Sequence, residues 1–230
     1  MMTEYGHFPR FIILTGNYGS GKTELALNLA LAGAAEGMRT TLVDLDIVNP
    51  YFRSGEKAAE MKAAGIRMLM PTFALTTVDI PALPAEIQSV FEDPGDRVIF
   101  DVGGDDTGAA ALGRYAPGFA RYAGETAALM VVNCMRPLTG TEEDILDLSE
   151  RISARGRQRI GGMINNTNLA GKTEPGMVED GERIVLACAE KMGIGNVITA
   201  GMTSVLARCS LRTPVIPIRR YMVPEWMEEE

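Results

Sequence analysis

The chain has 230 residues, 46% of them hydrophobic and 23% charged, enough to bury a large core without disulfide or metal staples. Its formal net charge of −8 argues against broad, nonspecific binding to nucleic acid or an anionic membrane. One histidine, His7, and three cysteines with no C-x-x-C pair argue against a zinc site and a Ser-His-Asp hydrolase.

Cys134, Cys188 and Cys209 read as isolated thiols in or near the core. No apolar run reaches membrane-spanning length and MMTEYGHFPR lacks a signal-peptide core, so the cytoplasm is the expected location.

The first element is the apolar run 11–14, read as a buried strand. It leads into Gly16-Asn17-Tyr18-Gly19-Ser20-Gly21-Lys22-Thr23, a full match to G-x-x-x-x-G-K-[ST]. The Ala- and Leu-rich stretch 24–32 follows as a helix. Strand, glycine loop and helix are the setting in which this motif cradles phosphate. Gly16, Gly19 and Gly21 allow successive N–H groups to turn inward, and the helix start adds partial positive charge. Lys22 is expected to reach the β- and γ-phosphates, and Thr23 to bind Mg²⁺ through its hydroxyl. Asn17, Tyr18, Ser20 and Glu24 complete the expected cradle.

Gly37 stops that helix, and 40–45 (TTLVDL) reads as the second strand. A helix is expected over 51–64, entered at Pro50 and ended by Gly65. A third strand over 66–70 closes at Pro71. Residues 72–84, with Pro81 and Pro84, read as a loop entering a helix that runs to about Glu92. After the turn Pro94-Gly95-Asp96 comes an apolar strand ending at Asp101. Residues 107–122 read as only partly helical, and 127–132 as a buried strand. Residues 139–154 form the clearest amphipathic helix, with Thr141 and Asp144 as a capping pair. A strand over 160–164, a helix over 175–192 and a strand over 196–200 follow. Residues 215–218 contain Pro217 and read as a last, edge strand. The alternation predicts an α/β fold in a single domain. It is a doubly wound, mostly parallel sheet of about seven or eight strands with helices on both faces.

In such sheets ligands sit at the carboxyl ends of the strands. The second strand ends Asp44-Leu45-Asp46, with both aspartates on one side. Asp46 is read as the group that holds a Mg²⁺-bound water or orients the attacking water, and the deeper Asp44 as a brace for the loop. The fourth strand ends in Asp101, a Walker-B pattern whose carboxylate supports Mg²⁺. Asp101-Val102-Gly103-Gly104 also matches D-x-x-G, where Gly104 lets a backbone N–H approach the γ-phosphate. The sixth strand ends Asn165-Asn166-Thr167-Asn168. An amide there can pair with a purine edge, although an Asn-rich turn explains any single one of these residues as well. The guanine motif N-K-x-D would place Asp where Asn168 stands, which tilts the reading from GTP towards ATP.

With these residues in hand, the chain resembles the ParA/MinD-like branch of the SIMIBI class of P-loop NTPases. That branch includes the nitrogenase iron protein, the arsenite-pump ATPase and the carbon monoxide dehydrogenase maturation ATPases. The resemblance covers most of the chain and rests on GNYGSGKT, VDLDIVNP, VIFDVGGDD and IGGMINNTN. It implies that VDLDI is a first switch with Asp46 as its catalytic aspartate, that residues 101–104 are a second switch, and that Asn166 contacts adenine. It also implies ATP and Mg²⁺ as cofactors, a nucleotide-sandwich homodimer, and slow hydrolysis coupled to an unidentified protein partner; the net charge argues against nucleic acid as that partner, and no membrane is expected. Enzyme activation or metallocentre maturation is the role suggested by analogy. The expected catalytic residues are thus Lys22 and Asp46, and the expected metal ligands Thr23, Asp46 and Asp101.

The sequence departs from the branch at Asn17, where a signature lysine normally reaches the partner's nucleotide. Asparagine supplies no positive charge. Either another cation acts, such as Arg53 or Arg114, or hydrolysis is weak or partner-dependent. GPN-type GTPases of the same superclass also lack that lysine, so GTP stays open. The acidic end YMVPEWMEEE is too short for a membrane-targeting helix. Two further readings remain beside the ATPase switch. One is a nucleotide-binding module with negligible hydrolysis. The other is a small-molecule kinase or ligase using Thr76, Thr77 and Asp79.

Overall fold

Eight short apolar runs become eight strands of one sheet in the computed structural model, which describes residues 8–46, 55–70, 85–104 and 106–222. They are β1 (Phe11–Thr15), β2 (Thr40–Leu45), β3 (Arg67–Leu69), β4 (Arg97–Val102), β5 (Thr126–Val132), β6 (Ile160–Asn165), β7 (Val197–Met202) and β8 (Val215–Ile218). The order is β3-β2-β4-β1-β5-β6-β7-β8, and every adjacent pair runs parallel. The expected mostly parallel sheet is all parallel among the described residues. Such sheets are covered on both faces, and β1, β2 and β4 are buried along their whole length.

The helices are α1 (Lys22–Ala35), α2 (Gly55–Ala63), α3 (Ala85–Gln88), α4 (Asp106–Gly113), α5 (Ala116–Ala120), α6 (Glu142–Gly156), α7 (Pro175–Met192) and α8 (Thr203–Leu206). Strand alternation divides the core between them. Ile12 and Leu14 of β1 join Leu25 and Leu29 of α1 on one face. Phe11 and Ile13 join Phe91, Leu112 and Phe119 on the other. Ile145 and Ile152 of α6 and Val185 of α7 extend that second face over Met130 and Met163. Each such aliphatic side chain contributes about 1.5–3 kcal/mol on burial. No helix among the described residues is long and apolar enough to cross a membrane.

The elements follow the sequence pattern with local differences. The helix expected from residue 24 begins at Lys22. The helix expected over 51–64 is described over Gly55–Ala63; Pro50 and Arg53 lie outside the described residues, as do His7 and the loop 71–84 with Thr76, Thr77 and Asp79. The run towards Glu92 is one turn of α3 and a 3₁₀ turn at Ser89–Phe91. The partly helical stretch 107–122 breaks into α4 and α5, the second opened by Pro117 in its first turn. Thr141 caps α6, accepting from the Asp144 N–H at 3.2 Å and donating to its carboxylate at 2.6 Å. β8 is one edge of the sheet, as expected, with Pro217 opposite Gly201. All three cysteines are free thiols.

One long-range clamp has no sequence signature. Asn28 of α1 donates to the Arg219 carbonyl and accepts from the Arg219 N–H, both at 2.8 Å. One turn earlier, the Glu24 carboxylate accepts from the N–H groups of Tyr221 and Met222. Together they lay the chain after β8 along α1. Asn28 is almost fully buried, so Asn28→Ala is expected to destabilise the fold by about 1–3 kcal/mol, because two backbone groups lose their partner. Urea unfolding measures this, and an unchanged midpoint would contradict the clamp.

Candidate functional site

After β1 the chain must reverse within a few residues and enter α1. Gly16, Gly19 and Gly21 do this with φ of 137°, 72° and 89°, angles that L side chains rarely adopt. Room is also lacking. A Cβ on Gly16 would lie 2.2 Å from the Val131 carbonyl oxygen, and one on Gly21 would lie 2.3 Å from Nδ2 of Asn166. The Ser20 N–H donates to the Asn17 carbonyl at 3.2 Å, and the Leu25 N–H to the Gly21 carbonyl at 3.0 Å. No side chain caps α1, so its first turn and the positive end of its dipole face the cavity. Lys22 is largely buried and donates from Nζ to the Asn17 carbonyl at 2.9 Å.

Three neighbouring loops hold this turn. From the end of β6, Asn166 donates from Nδ2 to the Ser20 carbonyl at 2.8 Å. From beyond β5, the Pro137 carbonyl accepts from Nδ2 of Asn17 at 2.6 Å, while Oδ1 of Asn17 accepts from the Tyr18 N–H at 2.8 Å. From beyond β4, Gly104 packs so closely that a Cβ there would lie 2.5 Å from the Tyr18 nitrogen. The rest of the asparagine run has other tasks. Asn165 donates to the Val178 carbonyl and to Oγ1 of Thr199, and Asn168 closes its own turn through the Asn166 carbonyl and the Ala170 N–H.

The acidic groups converge because β2 and β4 are neighbours, with Asp44 opposite Asp101. Oδ1 of Asp44 accepts from the Asp46 N–H at 2.8 Å, which is the expected brace. Asp46 lines the cavity beside Lys22 and Thr23. Asp101 is buried, and its Oδ2 accepts from Oγ1 of Thr23 at 2.6 Å. Burial pushes its carboxyl up from 3.8 to about 6; Lys22 and the Thr23 hydrogen bond oppose the rise and Asp46 adds to it.

Buried Asp101 Oδ1, Asn166 Oδ1 and Ser20 Oγ have no hydrogen-bond partner. Unsatisfied buried acceptors are uncommon, and these three lie around one loop. No group of three or more His, Cys, Asp or Glu capable of holding a metal occurs among the described residues. Thr23 and Asp101 instead fit Mg²⁺, which binds through one or two protein oxygens and completes its shell with water and phosphate.

Two adjoining cavities open here. One of about 740 Å³ is lined by Lys22, Thr23, Asp46 and Tyr18. A smaller one of about 190 Å³ is lined by Asn166, Asn168, Met202, Val205 and Arg220. Gly19, Gly21, Glu24, Arg136 and Met222 border both. Arg136, Arg220 and Met222 escaped the sequence reading; no motif marks them, and only the turn after β5 and the clamp on α1 bring them in. Arg114, expected as a substitute cation, lines neither cavity and sits between α4 and α5. A cavity of about 810 Å³ along α7 includes none of the P-loop residues.

Comparison with protein-family models and with curated proteins finds no match. Solved structures do match. The cell-division protein FtsY of Thermotoga maritima aligns at TM-score 0.55 and 20% identity, over 84% of this chain and 63% of FtsY. The 54 kDa signal recognition particle protein of Aeropyrum pernix, solved with GDP, aligns at 0.52 and 21%, over 83% and 41%. A nucleotide-binding protein of Archaeoglobus fulgidus, solved with ADP, aligns at 0.50 and 13%, over 89% and 86%. The chain thus spans about three fifths of the FtsY chains it matches. These likenesses establish the fold, an α/β P-loop NTPase fold with an all-parallel sheet.

Asp101 and Gly104 give two stability tests. Well below pH 3.8 the Asp101 carboxyl is neutral whether folded or unfolded; well above about pH 6 it is ionised in both states, and burial then opposes folding. Its contribution therefore weakens the free protein as pH rises from 4 to 6. Asp101→Asn is expected to stabilise the free chain at pH 7 by roughly 1–3 kcal/mol and to do so by less than about 1 kcal/mol at pH 4; denaturant titrations at both pH values measure it. Gly104→Ala is expected to lose about 1–3 kcal/mol through its clash with Tyr18. Gly124→Ala, with nothing within 4 Å of the added carbon, serves as the control in the same thermal melts and should change little.

Proposed function

We propose that this chain binds and hydrolyses a nucleoside triphosphate with Mg²⁺, as a switch acting on a protein partner. The observation that carries the reading is the braced glycine loop with Lys22, the Thr23–Asp101 pair and Asp46 at one cavity. The backbone turn and Lys22 would hold the phosphates. Thr23 and Asp101 would hold Mg²⁺, which when bound neutralises charge across the β- and γ-phosphates. Asp46 would position the attacking water. Residues 101–104 would couple the state of the site to the surface, because Gly104 rests directly on the loop.

ATP is the preferred nucleotide in this reading, because Asn168 stands where guanine recognition would use an aspartate. The Asn166 donor is engaged by Ser20, so its buried Oδ1 is the atom left to meet a base amino group. GTP is the alternative, favoured by the absence of a lysine at Asn17. Among the structural neighbours, one was solved with GDP and another with ADP. A second copy of the chain is the proposed cover for the site. Tyr18, Met135 and Leu138, the exposed large hydrophobics among the described residues, all lie in the P-loop and the turn after β5. Activation of an enzyme or assembly of a metal centre is the proposed task, by analogy with the branch the sequence resembles.

Two variants test the reading. Lys22→Ala should weaken Mg-ATP binding by about a hundredfold or more, measured by calorimetry, since it removes a charge-assisted contact from a buried site; unchanged affinity would end the nucleotide assignment. Asp46→Asn should lower single-turnover hydrolysis by about a hundredfold while affinity moves by less than about threefold. A wild-type rate in that variant would remove Asp46 from the chemistry.

A further inference from the structure

Phosphate at the P-loop brings several negative charges into a cavity that already contains Glu24 and Asp46. Among the described residues, the cations lining that cavity are Lys22 and Arg136. Arg136 was not expected from sequence, and its surroundings fix it in place. It lies in the turn after β5, where the Arg136 N–H donates to the Asn133 carbonyl at 3.1 Å. Thr139 donates from Oγ1 to the Asn133 carbonyl at 2.8 Å and to the Arg136 carbonyl at 3.3 Å. Oδ1 of Asn133 accepts from the Met135 N–H at 3.0 Å. The next residue, Pro137, accepts from Asn17. This turn is therefore tied both to itself and to the P-loop.

From that anchored backbone the Arg136 side chain lies along Gly19. A Cβ on Gly19 would sit 3.3 Å from Nε and 3.7 Å from Cζ. The bare glycine lets the guanidinium stem rest against the loop, bordering both cavities. The residue is exposed, and no carboxylate pairs with it among the described residues. Other exposed arginines do have acidic partners, such as Arg39 with Asp93 and Arg151 with Asp147. A guanidinium is a planar, permanently charged fork that matches phosphate oxygens.

We infer that Arg136 closes onto the phosphates of a bound nucleoside triphosphate, supplying from the same chain the positive charge that Asn17 does not. Asn17 keeps a part in this arrangement, because its amide holds the turn that carries Arg136. The inference rests on the nucleotide reading above and adds the residue that completes its charge.

The test measures affinity by calorimetry, with Mg²⁺, for the imido analogues of ATP and GTP and for AMP and GMP. The proteins are the full chain, Arg136→Ala, Arg136→Lys and Lys22→Ala, each checked by thermal melting. Arg136→Ala is expected to melt like the parent chain. It should lose about ten- to a hundredfold in affinity for the preferred triphosphate analogue and less than about threefold for the matching monophosphate. Arg136→Lys should recover most of the loss. Wild-type triphosphate affinity in Arg136→Ala, beside a loss in Lys22→Ala, would overturn the inference and leave the nucleotide reading standing. Equal losses for mono- and triphosphate would also overturn it, by placing the guanidinium at the base or ribose. Unchanged affinity in Lys22→Ala would overturn the nucleotide reading and the inference with it.

Discussion

A glycine turn of this kind cannot hold its own shape. Gly16, Gly19 and Gly21 are chosen for angles and clearances other residues lack, and the same freedom makes them costly to order. The shape must come from neighbours, and the hydrogen bond from Asn166 to the Ser20 carbonyl is the clearest of those constraints. It crosses 146 residues of sequence and is buried. Around it, Gly104 presses on Tyr18 and the Pro137 carbonyl holds Asn17. The sheet order explains why these contacts are available. β1 lies between β4 and β5, with β6 next, so the loops leaving all three arrive beside the P-loop. The fold thus builds the cradle from the topology outward.

The electrostatics follow from the same placement. Asp101 is buried at the tip of β4 and pushed up to about 6, with Lys22 and Thr23 pulling the other way. One of its oxygens is engaged by Thr23 and the other is left without a partner. Such an arrangement is poor for the free chain and would suit the proposed Mg²⁺. Lys22 shows the same tension, folded onto the Asn17 carbonyl where phosphate oxygens would compete for it. Exposed Tyr18 and Leu138 line this mouth, with exposed Met135 in the same turn as Leu138.

Much of this was legible in the sequence because it depends on short-range pattern. The eight apolar runs became the eight strands, Pro217 marked the edge strand, and Thr141 with Asp144 marked the start of α6. Strand alternation put Asp44 and Asp46 on one side, the deeper Asp44 was read as a brace, and it does hold the Asp46 N–H. The residues missed are those whose partners lie far along the chain. Glu24, expected in the cradle, borders both cavities, but the hold of its carboxylate on the N–H groups of Tyr221 and Met222, almost 200 residues away, was not foreseen. Arg136 reaches the loop only because the turn after β5 is tied to Asn17, a contact spanning 120 residues. Periodicity carries no information about such pairs. Arg114, named with Arg53 as a stand-in for the missing lysine, lines neither cavity.

The central claim is that the phosphate cradle is already formed in the free chain and is braced by Asn166, Gly104 and the turn after β5. Crystal structures of the protein alone, and with Mg²⁺ and a non-hydrolysable triphosphate, test this most directly. The account predicts phosphate density within residues 16–23, with the loop backbone moving by less than about 1 Å and the Asn166–Ser20 bond kept in both states. A free structure with that bond absent and the loop collapsed, or a triphosphate bound elsewhere on the chain, would contradict it.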